Sequence, residues 1–320
     1  MIHKLISILL LSIISLQAQE NLRIGVLAFG TVNWELDVLK HHNLDKKYGF
    51  DLDVVELASK NAQLVSLQSK DVNMIVNDWI WVNTQKAKGK NFSFYPYSKA
   101  TGTLLVNENS NINTLLDLKG KELGIAGGAY DKTWLLFRAY SKSKYDIDLK
   151  DIVNPLFASA PILYKKMQDD SLQAAINFWH FNAKLESKNI KALIEISEIL
   201  KELDIQKDVS FVGWTFDTKF ANENKDLINA FLKASKESKE ILKNSDEEWN
   251  RIKEQMSVKN DKEFEALKNG YKKGIIEEFD ENSIGDLQKV FKILLKEGGE
   301  KFVEDSTSLD NSIFWNFDSK

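Results

Sequence analysis

No cysteine occurs in the 320 residues. That excludes disulfides, thiolate nucleophiles, cysteine-based zinc or iron–sulfur centres and a lipid-bearing cysteine at the membrane. Arginine is nearly absent, with Arg23, Arg138 and Arg251 the only three. Lysines carry the rest of the positive charge, and the formal net charge is −4. That balance gives no electrostatic attraction to nucleic acid or to an anionic membrane, and neither is expected as a partner. G-x-S-x-G, H-E-x-x-H and phosphate-loop motifs are all missing, so hydrolase, zincin and nucleotide chemistry lack their usual support. Histidine numbers four. His41-His42 falls near a helix end, where histidines usually meet carbonyls or solvent, and His180 alone stands at a strand end, with no recognisable nucleophile or metal-ligand spacing around it. No metal and no cofactor is expected.

Long apolar runs are confined to the N-terminus. Lys4, the twelve-residue apolar stretch 5–16 and the small residue Ala18 read as a secretory signal peptide, 1–18. The stretch falls short of the ~20 residues that a membrane-spanning helix needs. The chain is therefore expected to be exported, without a lipid anchor and held together by its core alone. Residues 19–320 suffice for about two domains.

Strand-like and helix-like segments alternate from there on. "LRIGVLAF" (22–29), "FDLDVVEL" (50–57), "VNMIV" (72–76), "FSFYPY" (92–97), "ATGTLLVN" (100–107), "ELGIAG" (122–127), "IVNPLFA" (152–158), "LQAAINF" (172–178), "IKALIEI" (190–196) and "VSFVGWTF" (209–216) read as strands. Helical patterns separate many of them, including 33–48, 61–70, 111–121, 130–144, 160–170 and 179–189. Such alternation predicts α/β architecture with mainly parallel sheets. Beyond residue 217 the chain turns helical and heavily charged, with one helix predicted over 224–256 and another over 284–299. The dense charges of 233–248 form a solvated face with opposite signs three or four residues apart.

In open α/β sheets, ligands bind beyond the carboxyl ends of the strands. Those ends carry Thr31, Asn33 and Trp34; Asn77, Asp78 and Trp79; Gly127, Gly128 and Asp131; Asn177, Trp179 and His180; and Trp214. One tryptophan beside a strand is more often core than ligand wall. Several ends of the same kind predict a shared aromatic cleft. In "VNDWIWVN" a helix starting near Asp78 puts Trp79 and Trp81 about 200° apart, so only one can face the ligand. Trp79 is assigned to the cleft and Trp81 to packing, with the reverse left open. "GIAGGAYDKTW" is not the dinucleotide fingerprint. Its glycines would let a ligand approach a helix N-terminus, or would simply make a tight turn. Glu35, Asp78 and Asp131 could be a catalytic set, but hydrogen-bonding or helix-terminal roles fit their positions better, and no enzyme is expected.

Three stretches, "WELDVLKHHNLDKKYGFDLDVVELAS" (34–59), "LLDLKGKELGIAGGAYDKTWLLFRAY" (115–140) and "QAAINFWHFNAKLE" (173–186), resemble substrate-binding proteins of ABC transporters. The similar group is the nitrate, sulfonate, taurine and thiamine-precursor type. The resemblance implies a two-lobed, type II-like periplasmic binding fold, with each lobe a mainly parallel sheet flanked by helices and the ligand in the cleft between them. It implies crossings near 103–107 and 212–216, one lobe of 19–105 plus 216–320 and another of 106–215. The C-terminal helices would pack on the first lobe. It further implies a monomer that captures a small molecule by hinge closure and delivers it to a permease in the inner membrane. A sensor partner is an alternative, and a pyrimidine-synthase-like enzyme a weaker one.

One departure from that group concerns charge. No arginine stands at a strand end. The residues that gather there predict a neutral or cationic organic ligand with a flat or apolar part, stacked on Trp34, Trp79 or Trp179. Hydrogen bonds would come from Asn33, Asn77, Asp78 or Asp131. A stack contributes about 0.5–1.5 kcal/mol beyond burial.

Overall fold

The computed structural model describes residues 20–188, 190–304 and 306–317. The expected signal peptide lies outside the described residues. The strands are β1 (Glu20–Leu27), β2 (Phe50–Leu57), β3 (Met74–Asp78), β4 (Phe92–Ser98), β5 (Thr103–Asn107), β6 (Glu122–Ile125), β7 (Asn154–Phe157), β8 (Ala174–Asn177), β9 (Ile190–Ile194) and β10 (Val212–Asp217). They form two five-stranded sheets, ordered β2-β1-β3-β10-β4 and β7-β6-β8-β5-β9. In each sheet four strands run one way. The fifth, β10 or β5, runs against its neighbours and arrives from the other half of the chain.

This exchange of strands sets the crossings. β5 lies wholly in the second sheet and β10 wholly in the first, so cuts after residues 105 and 215 would each sever a hydrogen-bonded ladder. The chain instead passes between the sheets at 99–102 and again within 195–211. The first passage is tight. A Cβ on Gly102 would sit 1.9 Å from the Asn177 carbonyl oxygen, so only glycine lets the backbone pass there.

The first sheet buries Leu22, Ile24, Phe50, Met74 and Phe216 against helices Val32–His41 and Lys225–Asn244, which pack on each other. The second buries Leu105 and Ala175 under helices Ala160–Gln168, which contributes Leu163 and Met167, and Trp179–Glu186, which contributes Leu185. The sequence places all the C-terminal helices on the first lobe; the structure divides them. Helix Lys225–Asn244 stays there, whereas helix Asp261–Lys273 packs on Trp179–Glu186 and helix Glu281–Gly298 on Lys132–Tyr145. The apolar stripe Leu287, Val290, Phe291 and Leu294 explains the second case. It fills one core that contains Trp79 and Phe94 from the first half together with Leu104, Ile125, Trp134 and Phe137 from the second.

Several predicted helices are shorter than expected, and the one over 33–48 splits at Asn43, whose φ is 52°. The run 224–256 breaks at Ser245, whose Oγ accepts from the Glu248 N–H (3.1 Å) and so starts a new helix, Asp246–Ile252. Over 111–121 only a 3-10 turn forms, Leu115–Leu118. No described helix is long and apolar enough to cross a membrane.

Candidate ligand-binding site

A cavity of about 320 Å³ lies between the two sheets, near the lower end of the ~300–1,000 Å³ usual for small-molecule sites. The first sheet gives the end of β1 with Gly30 and Thr31, Val76 from the middle of β3, and Tyr97 and Ser98 on β4. The second gives Phe178, Trp179 and His180 beyond β8, and Asp131, Lys132 and Thr133 at the start of helix Lys132–Tyr145. Both crossings add to the wall through Thr101, Gly102 and Phe211, and β10 adds Val212. Tyr271 reaches in from helix Asp261–Lys273. A wider groove of about 770 Å³ adjoins it and shares Gly30, Thr31 and His180.

Local sequence explains much of this placement. Asn33 donates through Nδ2 to the Leu27 and Ala28 carbonyls (2.9 and 3.3 Å), which folds the loop after β1 back on itself. Asn177 Oδ1 accepts from the Phe178 N–H (2.8 Å) and its Nδ2 donates to the Ala160 carbonyl (3.0 Å), which turns the chain sharply into the Trp179 helix. Asp131 Oδ1 caps the next wall by accepting from the Trp134 N–H (3.0 Å).

The cavity's charges come in two kinds. Lys132 is committed: its Nζ lies 3.5 Å from Asp78 Oδ2, across the gap between the halves, while Lys60 donates to the same oxygen at 3.0 Å. Burial pushes the Asp78 carboxyl upward, but the Lys132 and Lys60 ammoniums and the Trp81 N–H outweigh it and hold the group well below the usual carboxylate range. Asp131 has no cationic partner of that closeness among the described residues. Part of its surface faces the cavity, yet the atoms around it desolvate the carboxyl and push it upward. His180 is likewise enclosed. Burial first and Lys184 second push its imidazole down to about 4, so the ring is neutral at ordinary pH.

Behind the aromatic wall lies a buried ion pair. Glu35 is fully buried and accepts from Ser235 (2.5 Å), Lys239 (2.5 Å) and Tyr271 Oη (3.1 Å). Lys239 Nζ sits 4.2 Å from the centre of the Tyr97 ring. Burial, reinforced by Glu35, raises both tyrosine hydroxyls well above their ordinary range, so they remain protonated. The Tyr97 hydroxyl has no hydrogen-bond partner among the described residues.

Of the expected site residues, Thr31, Asp131, Trp179 and His180 line the cavity, and Asn33 and Trp34 line the adjoining groove. Trp34 meets Trp179 edge-on, with centroids 6.3 Å apart. The others do not reach the cavity. Trp79 is 0% exposed and packs against Phe291 in the core, while Trp81 is half-buried against Phe92. Neither ring lines the cavity: Phe291 of helix Glu281–Gly298 covers Trp79, and Trp81 packs on β4. Trp214 is buried against Phe231 and donates to Ser235 Oγ (3.3 Å). Asn77 and Asn177 are buried, and Asp78 pairs with Lys132. Gly127 and Gly128 both hold φ near +85° and make the turn after β6. Tyr97, missed by the reading of the strand ends, nevertheless closes β4 and was open to the same rule. Tyr271 lies on a late helix with no strand near it, and nothing in the sequence marks it.

All three arginines lie elsewhere. Arg23 pairs with Asp53, Arg138 holds Asp148 with two hydrogen bonds and Arg251 pairs with Glu248 and Asp37.

The family model described as NMT1/THI5 like matches residues 41–248. The chain belongs to this family. Among solved structures, the periplasmic aliphatic sulphonate binding protein SsuA from Escherichia coli aligns with a TM-score of 0.68 at 19% identity, over 90% of this chain and 94% of that one. The alkanesulfonate-binding SsuA from Xanthomonas axonopodis pv. citri, bound to MOPS, aligns with a TM-score of 0.64 at 17% identity, over 92% and 98%. The desulfurization enzyme DSZB shares the fold as well, with a TM-score of 0.61 at 12% identity, over 90% and 98%. No curated protein sequence matches. This member of the NMT1/THI5-like family thus has the two-lobed architecture of periplasmic binding proteins, and its cavity occupies the gap between the lobes.

Proposed function

We propose that the protein is the periplasmic solute-binding component of an ABC import system, which captures one small organic molecule between its lobes. The observation that carries this is the interlobe cavity, walled by strand ends of both sheets and by both crossings. Closure about the crossings has a reason in exposed apolar surface. Leu27 from the first sheet is 39% exposed and Phe178 from the second 42%, and both line the cavity. Their burial on closure favours the loaded state by the hydrophobic effect. A closed surface differs from an open one, and an inner-membrane permease can read that difference. The same logic would serve a sensor partner.

Thr31, Asp131, Trp179 and His180 are proposed to touch the ligand, together with Tyr97, Thr101, Lys132 and Tyr271. The aromatic walls suit a flat or apolar part. Asp131 carries the uncommitted charge, and no arginine lines the cavity, so a neutral or cationic ligand fits. A sulfonate is the second reading, favoured by Lys132 beside a helix N-terminus and by the SsuA relatives. The absence of cysteine leaves no thiolate for catalysis, and we read the site as one for binding.

Mass spectrometry of the native protein identifies whatever co-purifies. Thermal shift with amines and aminopyrimidines against sulfonates and nitrate then separates the readings. A rise with sulfonates alone overturns the ligand charge and leaves capture standing. A rise with none of them, and no bound molecule, counts against capture itself.

A further inference from the structure

We propose that His41, His42 and Glu248 form a binding site for a divalent transition-metal ion of the zinc type. A ring nitrogen from each histidine and a carboxylate oxygen of Glu248 all lie within 4.8 Å of one another. His42 Nε2 is 3.2 Å from Glu248 Oε2. Two donors on a tetrahedral zinc, with bonds of about 2.0–2.1 Å, stand about 3.3 Å apart. The two imidazoles meet at 86° with centroids 5.1 Å apart, so a small rotation of the exposed His41 ring completes a three-donor set.

The surroundings are built to hold it. His41 ends helix Val32–His41, and the His42 N–H is anchored on the Val38 carbonyl at 3.0 Å. Glu248 is buried, with its backbone N–H capped by Ser245. Arg251 Nε donates to Glu248 Oε1 at 2.8 Å. That bond orients the carboxylate and leaves Oε2 turned to His42, the role that hydrogen-bonded neighbours play around metal ligands. Asp37 also pairs with Arg251 and offsets its charge.

Donor chemistry selects the ion. Calcium and magnesium ask for oxygen ligands, and only one carboxylate is supplied here. Two imidazoles and a carboxylate suit zinc, nickel or copper(II). With both histidines exposed, the fourth position stays open to water. None of the three residues lines the cavity or its adjoining groove, so the site is separate from solute capture. An ion there would fasten the far end of the helix that begins at the cleft to helix Asp246–Ile252, whose Trp249 packs edge-on against Trp34 at 6.0 Å.

The test uses the full chain purified without an affinity tag and stripped of metal. Titration with Zn²⁺ by calorimetry is expected to show saturable one-to-one binding, and Co²⁺ to give the visible absorption of a tetrahedral site. At about 100 times the dissociation constant, Zn²⁺ raises Tm by about 5 °C, while Mg²⁺ and Ca²⁺ do not. His41→Ala and His42→Ala, both at exposed positions, each weaken Zn²⁺ binding at least ~10-fold, and Arg251→Lys weakens it by ~10–100-fold. If wild-type protein shows no saturable binding, or the double histidine variant binds Zn²⁺ as tightly as wild type, the site does not exist.

Discussion

The third strand of each sheet ends in nearly the same words, "IVNDW" at 75–79 and "AINFW" at 175–179. Each leads directly into a helix whose first residue is the tryptophan. The outcomes are opposite. Trp79 is sealed in the core, and Trp179 faces the cavity. The residue between Asn and Trp contributes to the split. Asp78 caps its helix through the Trp81 N–H (2.9 Å) and draws Lys60 and Lys132 to the cleft edge. Phe178 makes no such cap and remains exposed. The rest is decided by neighbours: helix Glu281–Gly298 covers Trp79, whereas Trp179 meets Trp34 and the open gap. A strand-end motif marks a location, and packing decides what its side chains do there.

The largest effect should come from the tryptophans themselves. Trp79→Ala is expected to cost about 3–5 kcal/mol of stability, the usual range for emptying a buried aromatic site, read by urea denaturation. Trp179→Ala should cost clearly less and abolish measurable binding of the molecule found by mass spectrometry. Equal destabilisation with binding intact would erase the contrast.

Next comes the ion pair beside the first tryptophan. Asp78→Asn removes the helix cap's charge and strands Lys132, at a cost of about 1–3 kcal/mol near neutral pH. Because the folded Asp78 carboxyl titrates below its unfolded value of about 3.9, its contribution is complete above that pH and fades as pH falls further toward the folded value. Wild type and variant should therefore converge in Tm in strong acid. A gap that persists unchanged there would contradict the pairing.

The second lobe carries a pH signature of the same sign in a higher window. His180 titrates at about 4 when folded and near 6.5 when unfolded. Between those values the unfolded chain binds the extra proton, so stability falls as pH falls, by at most about 1.4 kcal/mol per pH unit. His180→Gln should flatten Tm against pH in that window while leaving the Asp78 effect below it untouched.

The smallest effect is the most local. A Cβ on Gly270 would approach Trp179 Cζ3 to 3.0 Å. Gly270→Ala should shift that ring slightly, change stability by less than about 1 kcal/mol and alter ligand affinity several-fold by titration calorimetry. No change in affinity would mean that the position of the Trp179 ring is unimportant to binding.

Much of the fold was legible because its signals are local. β2 falls on residues 50–57 as read, since alternation along eight residues needs no distant partner. Helix Lys132–Tyr145 begins after Asp131, which caps it. The gathering of strand ends from both halves followed from α/β topology, and of the residues read there Thr31, Asp131, Trp179 and His180 line the cavity. Tyr271 could not be, because a helix late in the chain carries no strand-end signal.

The sequence by itself determined the order of elements, the absence of thiol chemistry and the scarcity of arginine, because each depends on residue type and short-range pattern. Tertiary structure alone decided which tryptophan became core, where the C-terminal helices docked and which ammonium Asp78 holds across the gap. Those outcomes depend on contacts between residues far apart along the chain, and such contacts exist only once both sheets have exchanged a strand and the late helices have closed over them.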